Sequence, residues 1–215
     1  MDLDPTAQFG AVTRVVSLRE RDGKQARAVI VTRTYPTDRA DLWDALTNAE
    51  RLPRWFLPIS GDLVPGGRYQ LRGNAGGSIE ACEAPERFAV TWEFGAGVSW
   101  VEVRLVAEPG EAPRTTLILE HVAHVDGHYG RYGPGAVGVG WELGLIGLDL
   151  HVRSRAAVDP AAFQAWSAGA GGQAFVKASA HGWGEAATAA GDPADEARAA
   201  AARTGAFYSG EPEPT

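Results

Sequence analysis

His121 is the residue in this chain whose type and setting could most directly do chemistry. It alternates with Leu117 and Leu119 on one face of the run TTLILEHV, and an imidazole among leucines needs a hydrogen-bond partner or a function. Tyr69 or a ligand oxygen would serve as that partner. As a functional group His121 is the candidate catalytic residue, a general acid/base, because histidine titrates near neutrality. The alternative is a hydrogen-bonded core histidine.

The segment continues as H-x2-H-x-D-x-H, in which His121, His124, Asp126 and His128 supply nitrogen and oxygen donors of the kind zinc uses. Their spacing matches no strong metal signature and runs from a strand end into a loop. No metal site is expected there, and no cofactor is expected anywhere in the chain. The single cysteine, Cys82, excludes an internal disulfide and a cysteine-based zinc site. It sits in a strand pattern without a neighbouring histidine and reads as a buried structural thiol. Ser60, Ser78 and Ser99 lie in no nucleophile-elbow context. Catalysis would therefore be acid/base or positional, and whether the protein is an enzyme stays open at this level.

The stretch GPGAVGVGWELGLIGL, residues 133–148, offers three further chemistries. A dinucleotide fingerprint needs G-x-G-x-x-G, but position 143 is leucine, and the Gly-Lys-Ser/Thr of a P-loop is absent. A membrane span needs about 20 uninterrupted apolar residues, and Glu142 and Asp149 interrupt this one. Spaced at 100° per residue, the stretch becomes a helix from about residue 136 to 157. Trp141, Leu145, Leu148 and Val152 form an apolar stripe, with Gly140, Gly144, Gly147 and His151 beside it. Glu142, Asp149 and Arg153 form a polar stripe on the opposite flank. Each mid-helix glycine costs about 1 kcal/mol against alanine, so three in one row point to something lying close against the backbone.

The elements that position these residues are legible in order. AVTRVVSL and ARAVIVTRTY flank Asp22-Gly23, a hairpin signal. PTDRADLWDALTNAERLPRWF has helical spacing, with Asp38 as N-cap and Ala40, Trp43 and Leu46 on one face. GDLVPGGRYQLRG reads as strand, turn, strand. Four more strands follow to residue 122, with Phe88, Val90, Trp92 and Phe94 alternating on one face, as do Val101, Val103 and Leu105. This pattern is a curved antiparallel sheet with one buried and one wet face. AHVDGHYGRYGPG is a polar loop before the long helix.

The chain has 215 residues and a formal net charge of −7, with scattered arginines rather than a basic patch, so no nucleic-acid partner is expected. The start, MDLDPTAQFG, is acidic and carries no apolar run, which points to the reduced cytosol.

Taken in order, ALTNAERLPRWF, GDLVPGGRYQL, CEAPERFAVTWEF, TTLILEH and GWELGLIGL resemble the SRPBCC superfamily of START- and Bet v 1-like proteins. Within it they resemble the branch of heat-shock-protein-90 ATPase activator homologues and polyketide-cyclase-like proteins. The most telling matches are Leu46-Thr47 with Trp55-Phe56, Gly61-Asp62-Leu63 with Pro65-Gly66-Gly67, Trp92, and Gly140-Trp141, over roughly residues 10 to 155. The resemblance implies an α+β helix-grip fold, a bent antiparallel sheet gripping the long helix around an apolar pocket. Combined with the periodicities, it puts Tyr69, Leu71, Trp92, Phe94, Val103, Leu119 and His121 on the sheet wall. Trp141, Leu145 and Leu148 form the helix wall, with Trp55 and Phe56 at the mouth. Such walls suit a small hydrophobic or aromatic ligand. The alternatives are a cyclase/aromatase-like enzyme using His121, and a module acting on a chaperone ATPase.

Residues 1–158 are thus expected to form the helix-grip domain, 159–208 a helical extension packing on it, and 209–215 a disordered tail. Phe163, Trp166, Phe175, Trp183, Phe207 and Tyr208 are large anchors on otherwise small-residue helices. A homodimer contact through the extension is the alternative use of them.

Overall fold

The computed structural model describes residues 3–214. Asp4 caps a short helix, α1 (Pro5–Gly10), and the hairpin at Asp22-Gly23 joins β1 (Val12–Arg21) to β2 (Lys24–Tyr35). Both turn residues have positive φ, 53° and 71°, which lets a two-residue turn follow the right-handed twist of the strands. Asp38 then caps α2 (Arg39–Thr47) by accepting from the Asp41 backbone N–H. Leu42 and Ala45 are its buried residues, whereas Ala40 is exposed. The predicted face of Ala40, Trp43 and Leu46 is therefore off by about one position. Trp43 is only half-buried, edge-on to Phe88 with ring centroids 5.9 Å apart. Leu52–Arg54 then form a 3-10 turn with Pro53 in its first turn.

Strands β3 (Ile59–Gly61), β4 (Arg68–Leu71), β5 (Gly76–Glu83), β6 (Arg87–Phe94), β7 (Gly97–Ala107) and β8 (Thr115–His124) complete an eight-stranded antiparallel sheet ordered β1-β2-β8-β7-β6-β5-β4-β3. The predicted loop before the long helix holds a short helix, α3 (Gly127–Tyr132), capped by Asp126. Then come α4 (Gly135–Ser154), α5 (Pro160–Ala168), α6 (Ala170–Ala189) and α7 (Ala194–Ser209). Pro193 holds the N-cap position of α7, and Asp192 before it pairs with Arg27.

The chain divides into two compact units whose boundaries fall inside β2, at the end of β8, inside α4 and between α4 and α5. One comprises the described residues through Val31, His124–Leu143, and from Asp159 onward. The last three helices therefore share a unit with β1 and the first half of α4. At its centre lies Glu142, 1% exposed, gripped by Arg14 Nε at 2.7 Å and Nη2 at 2.6 Å. Burial raises the Glu142 carboxyl while Arg14 opposes the rise. Ser179 and Trp183 bear on it more weakly, their buried polar atoms falling outside regular hydrogen-bond geometry. Gly138 lies under the Trp183 indole, where a Cβ would stand 2.3 Å from Cε2. Trp166, Phe175 and Trp183 are buried, whereas Phe207 is 63% exposed. Beyond α7, Glu213 accepts hydrogen bonds from Arg131 and Tyr132.

The other unit comprises Thr32–Ala123 and Gly144–Val158. Its part of α4 buries Leu145, Leu148 and Val152, each worth roughly 1.5–3 kcal/mol against exposure. Asp149, predicted on a polar flank, is 4% exposed and paired at 3.0 Å with the equally buried Arg33. Glu142 and Asp149 both correct that expectation: a charge inside a fold persists where a second charge and hydrogen bonds meet it. The Tyr35 hydroxyl donates to the Leu145 carbonyl at 3.2 Å, and burial raises its pKa well above the ordinary value. His151 is wedged between Arg51, whose Nε donates to Nε2 at 3.0 Å, and the Ala156 carbonyl, 2.6 Å from Nδ1. Arg has only donors, so Nε2 must be the acceptor and Nδ1 carries the proton.

Candidate functional site

The register of β4–β8 builds one continuous apolar face within the second unit. Ile79 pairs with Val90, Val90 with Val101, and Val101 with His121. Residues opposite one another in an antiparallel pair share a face, so these side chains form a row across four strands. The next row towards the open end is Trp92 opposite Ser99. Deeper rows, Val103 with Leu119 and Leu105 with Leu117, are fully buried. On β4, Tyr69 and Leu71 are 6% and 3% exposed, and the Tyr69 hydroxyl donates to the Thr91 carbonyl at 2.8 Å.

Tyr69, Leu71 and Leu52 form a buried cluster, against which Trp55, Phe56, Ile79, Val90 and Trp92 pack while staying partly exposed. The Trp55 and Phe56 rings are stacked, 5.4 Å apart and 28° from parallel. Trp55 is held by its indole N–H donating to the Ala45 carbonyl at 2.8 Å, so the 3-10 turn and the end of α2 fix it. The α4 glycines admit this segment. A Cβ on Gly147 would meet the Trp55 carbonyl oxygen at 2.8 Å, and one on Gly144 would meet Phe56 at 3.6 Å. Gly147 thus answers to a close approach of backbone, whereas Gly144 meets the Phe56 ring at ordinary contact distance.

His121 is 3% exposed, and burial lowers its pKa to about 4. It is a neutral imidazole at neutral pH. Its Nε2 lies 2.8 Å from Ser99 Oγ, the diagonal neighbour across β7 and β8, and its ring is 6.3 Å from that of Trp92. Ser99, rather than Tyr69, is therefore the hydrogen-bond partner of His121. Such a group can position or relay a proton, but so low a pKa makes it a weak general base.

All the sequence-predicted lining residues except Trp141 fall in this unit. Val103, Leu119, Leu145 and Leu148 are buried and Trp92 is partly exposed. Phe94, at the hairpin end of β6, is 63% exposed, and Trp141 is partly exposed. Cys82 is exposed, correcting the expected buried thiol: it lies near the end of β5, opposite Phe88 near the start of β6. His124 Nε2 contacts the Arg21 carbonyl at 3.0 Å, Asp126 caps α3, and the His128 ring lies 5.0 Å from that of Tyr132. Among the described residues no three His, Cys, Asp or Glu side chains are grouped to hold a metal ion. Nor is any helix among them long and apolar enough to cross a membrane.

Two features escaped the sequence reading although signals existed. Ser99 alternates with Val101, Val103 and Leu105, which put a hydroxyl on the apolar face. Arg33 alternates with Val29, Val31 and Tyr35, and an arginine in such a row demands a buried acid.

Residues 36–149 match the family described as Activator of Hsp90 ATPase homolog 1-like protein. The chain is similar to CalU16 from Micromonospora echinospora. Against its crystal structure it is 34% identical over 67% of this chain and 88% of that one, with a TM-score of 0.59. Against its solution structure it is 28% identical over 93% and 94%, with a TM-score of 0.63. DynU16, a protein in the dynemicin biosynthetic locus, is 20% identical over 60% of this chain and 48% of its own, with a TM-score of 0.51, a likeness of fold alone. No curated protein matches the sequence. The α+β helix-grip fold expected from the sequence is the fold of these structures.

Proposed function

This chain belongs to the family of activator of Hsp90 ATPase homolog 1-like proteins, and on that premise we propose that it binds a small hydrophobic or aromatic molecule on the apolar face of β4–β8. One observation carries the reading. Trp55, Phe56 and Trp92 stay partly exposed while resting on the buried Leu52, Tyr69 and Leu71. Large rings give up most by remaining in contact with water, and fixed aromatic surface above a packed floor is the chemistry of an apolar ligand site. Among the described residues the buried arginine and carboxylate of this unit, Arg33 and Asp149, pair with each other, so its interior favours an uncharged guest.

Equilibrium dialysis against 2-methoxynaphthalene, with native mass spectrometry of the purified protein for a co-purifying molecule, tests this. Trp92→Ala is expected to weaken probe binding about tenfold, the loss typical of a central aromatic anchor. A wild-type protein that takes up no aromatic probe and carries no small molecule would rule the proposal out.

A further inference from the structure

The hydrogen bonds around Ser99 go further and name the ligand's polar group; this step rests on the binding reading above. Ser99 Oγ lies 3.2 Å from the Trp92 carbonyl and 2.8 Å from His121 Nε2, its two hydrogen bonds among the described residues. A hydroxyl has one proton and two lone pairs. The Trp92 carbonyl can only accept, so the Ser99 proton goes there, and His121 must donate through Nε2–H. The neutral state that burial imposes on His121 permits this tautomer. The chain of donors therefore runs His121 to Ser99 to the Trp92 backbone, and it leaves one Ser99 lone pair unused. Ser99 is partly exposed, on the same sheet face as Trp92 and directly opposite it.

We infer that the ligand is an uncharged aromatic molecule bearing a hydrogen-bond donor, a phenolic hydroxyl or an N–H, and that Ser99 accepts that hydrogen while Trp92 meets the ring. His121 is a positioning residue: it turns the Ser99 hydroxyl so that an acceptor, not a donor, faces the ligand.

The test compares 2-naphthol with 2-methoxynaphthalene, nearly the same shape without the donor, by equilibrium dialysis on the full chain. Wild type is expected to prefer 2-naphthol by about three- to tenfold, the usual worth of one neutral hydrogen bond. Ser99→Ala is expected to bind both equally, at the wild-type level for 2-methoxynaphthalene, with its fold checked by circular dichroism. Equal wild-type affinity for the two probes overturns this inference and leaves the binding reading standing. A preference that survives in Ser99→Ala overturns it as well. Binding of neither probe removes both.

Discussion

At His121, burial sets a sign that experiment can read. Its folded-state pKa, about 4, lies below the ordinary 6.5, so the unfolded chain takes up the proton first. Stability present at pH 7 is therefore lost as pH falls from 6.5 towards 4, by about 3 kcal/mol if the whole shift is expressed. His121→Leu is expected to flatten that part of the pH dependence in urea unfolding compared at pH 7 and pH 4.5. If wild type and variant lose equal stability between those values, His121 charges without penalty and its burial has been misread. Asp41 does not confuse the comparison. Its burial would raise the carboxyl, but hydrogen bonds from Arg51, Thr37 and Arg155 hold it at about 2 against an ordinary 3.8. Its contribution is present above 3.8 and is lost only as pH falls below that, outside the window. The cyclase-type alternative also belongs to this scale: it requires His121→Ala to abolish turnover of a true substrate while leaving binding in place.

Gly138 and Gly144 of α4 stand in different surroundings, and alanine separates them. At Gly138 an added Cβ would stand 2.3 Å from the fully buried Trp183 ring. Moving that ring costs more than the better helix propensity returns, and Gly138→Ala is expected to destabilise by about 1–3 kcal/mol. At Gly144 the nearest atom is Phe56 Cε2, at 3.6 Å, an ordinary contact. Gly144→Ala is expected to stabilise by about 0.5–1 kcal/mol, from propensity alone. Thermal unfolding of the two variants gives opposite shifts; a stabilising Gly138→Ala would mean that Trp183 is not seated on Gly138, and a destabilising Gly144→Ala that the Phe56 ring leaves no room for a methyl.

For the whole molecule, the division into units changes what the last helices are for. α5–α7 belong with β1 and the first half of α4, where Trp183 covers Gly138 and bears on Glu142. A chain ending at Val158 is expected to lose amide protection over Val12–Arg21, read by hydrogen exchange. Protection equal to that of the full chain would make residues 159 onward dispensable for the order of β1.

Local physics was enough to read much of this protein from its residues. The Asp22-Gly23 turn, the Asp38 cap, the alternation of β6–β8 and the span of α4 each follow from neighbours a few positions apart. The ordered motifs were likewise sufficient to place the chain in its superfamily and fold. What tertiary structure alone decided is which distant group meets which. Glu142 is buried because Arg14, 128 positions away, arrives beside it, and Asp149 because Arg33 does. His121 meets Ser99 rather than Tyr69 because of the β7–β8 register. Phe94 and Cys82 are exposed near the ends of β6 and β5. Periodicity assigns a side chain to a face. Whether that face holds a counter-charge, a hydroxyl or open water depends on long-range packing, and it is there that the candidate site takes its polarity.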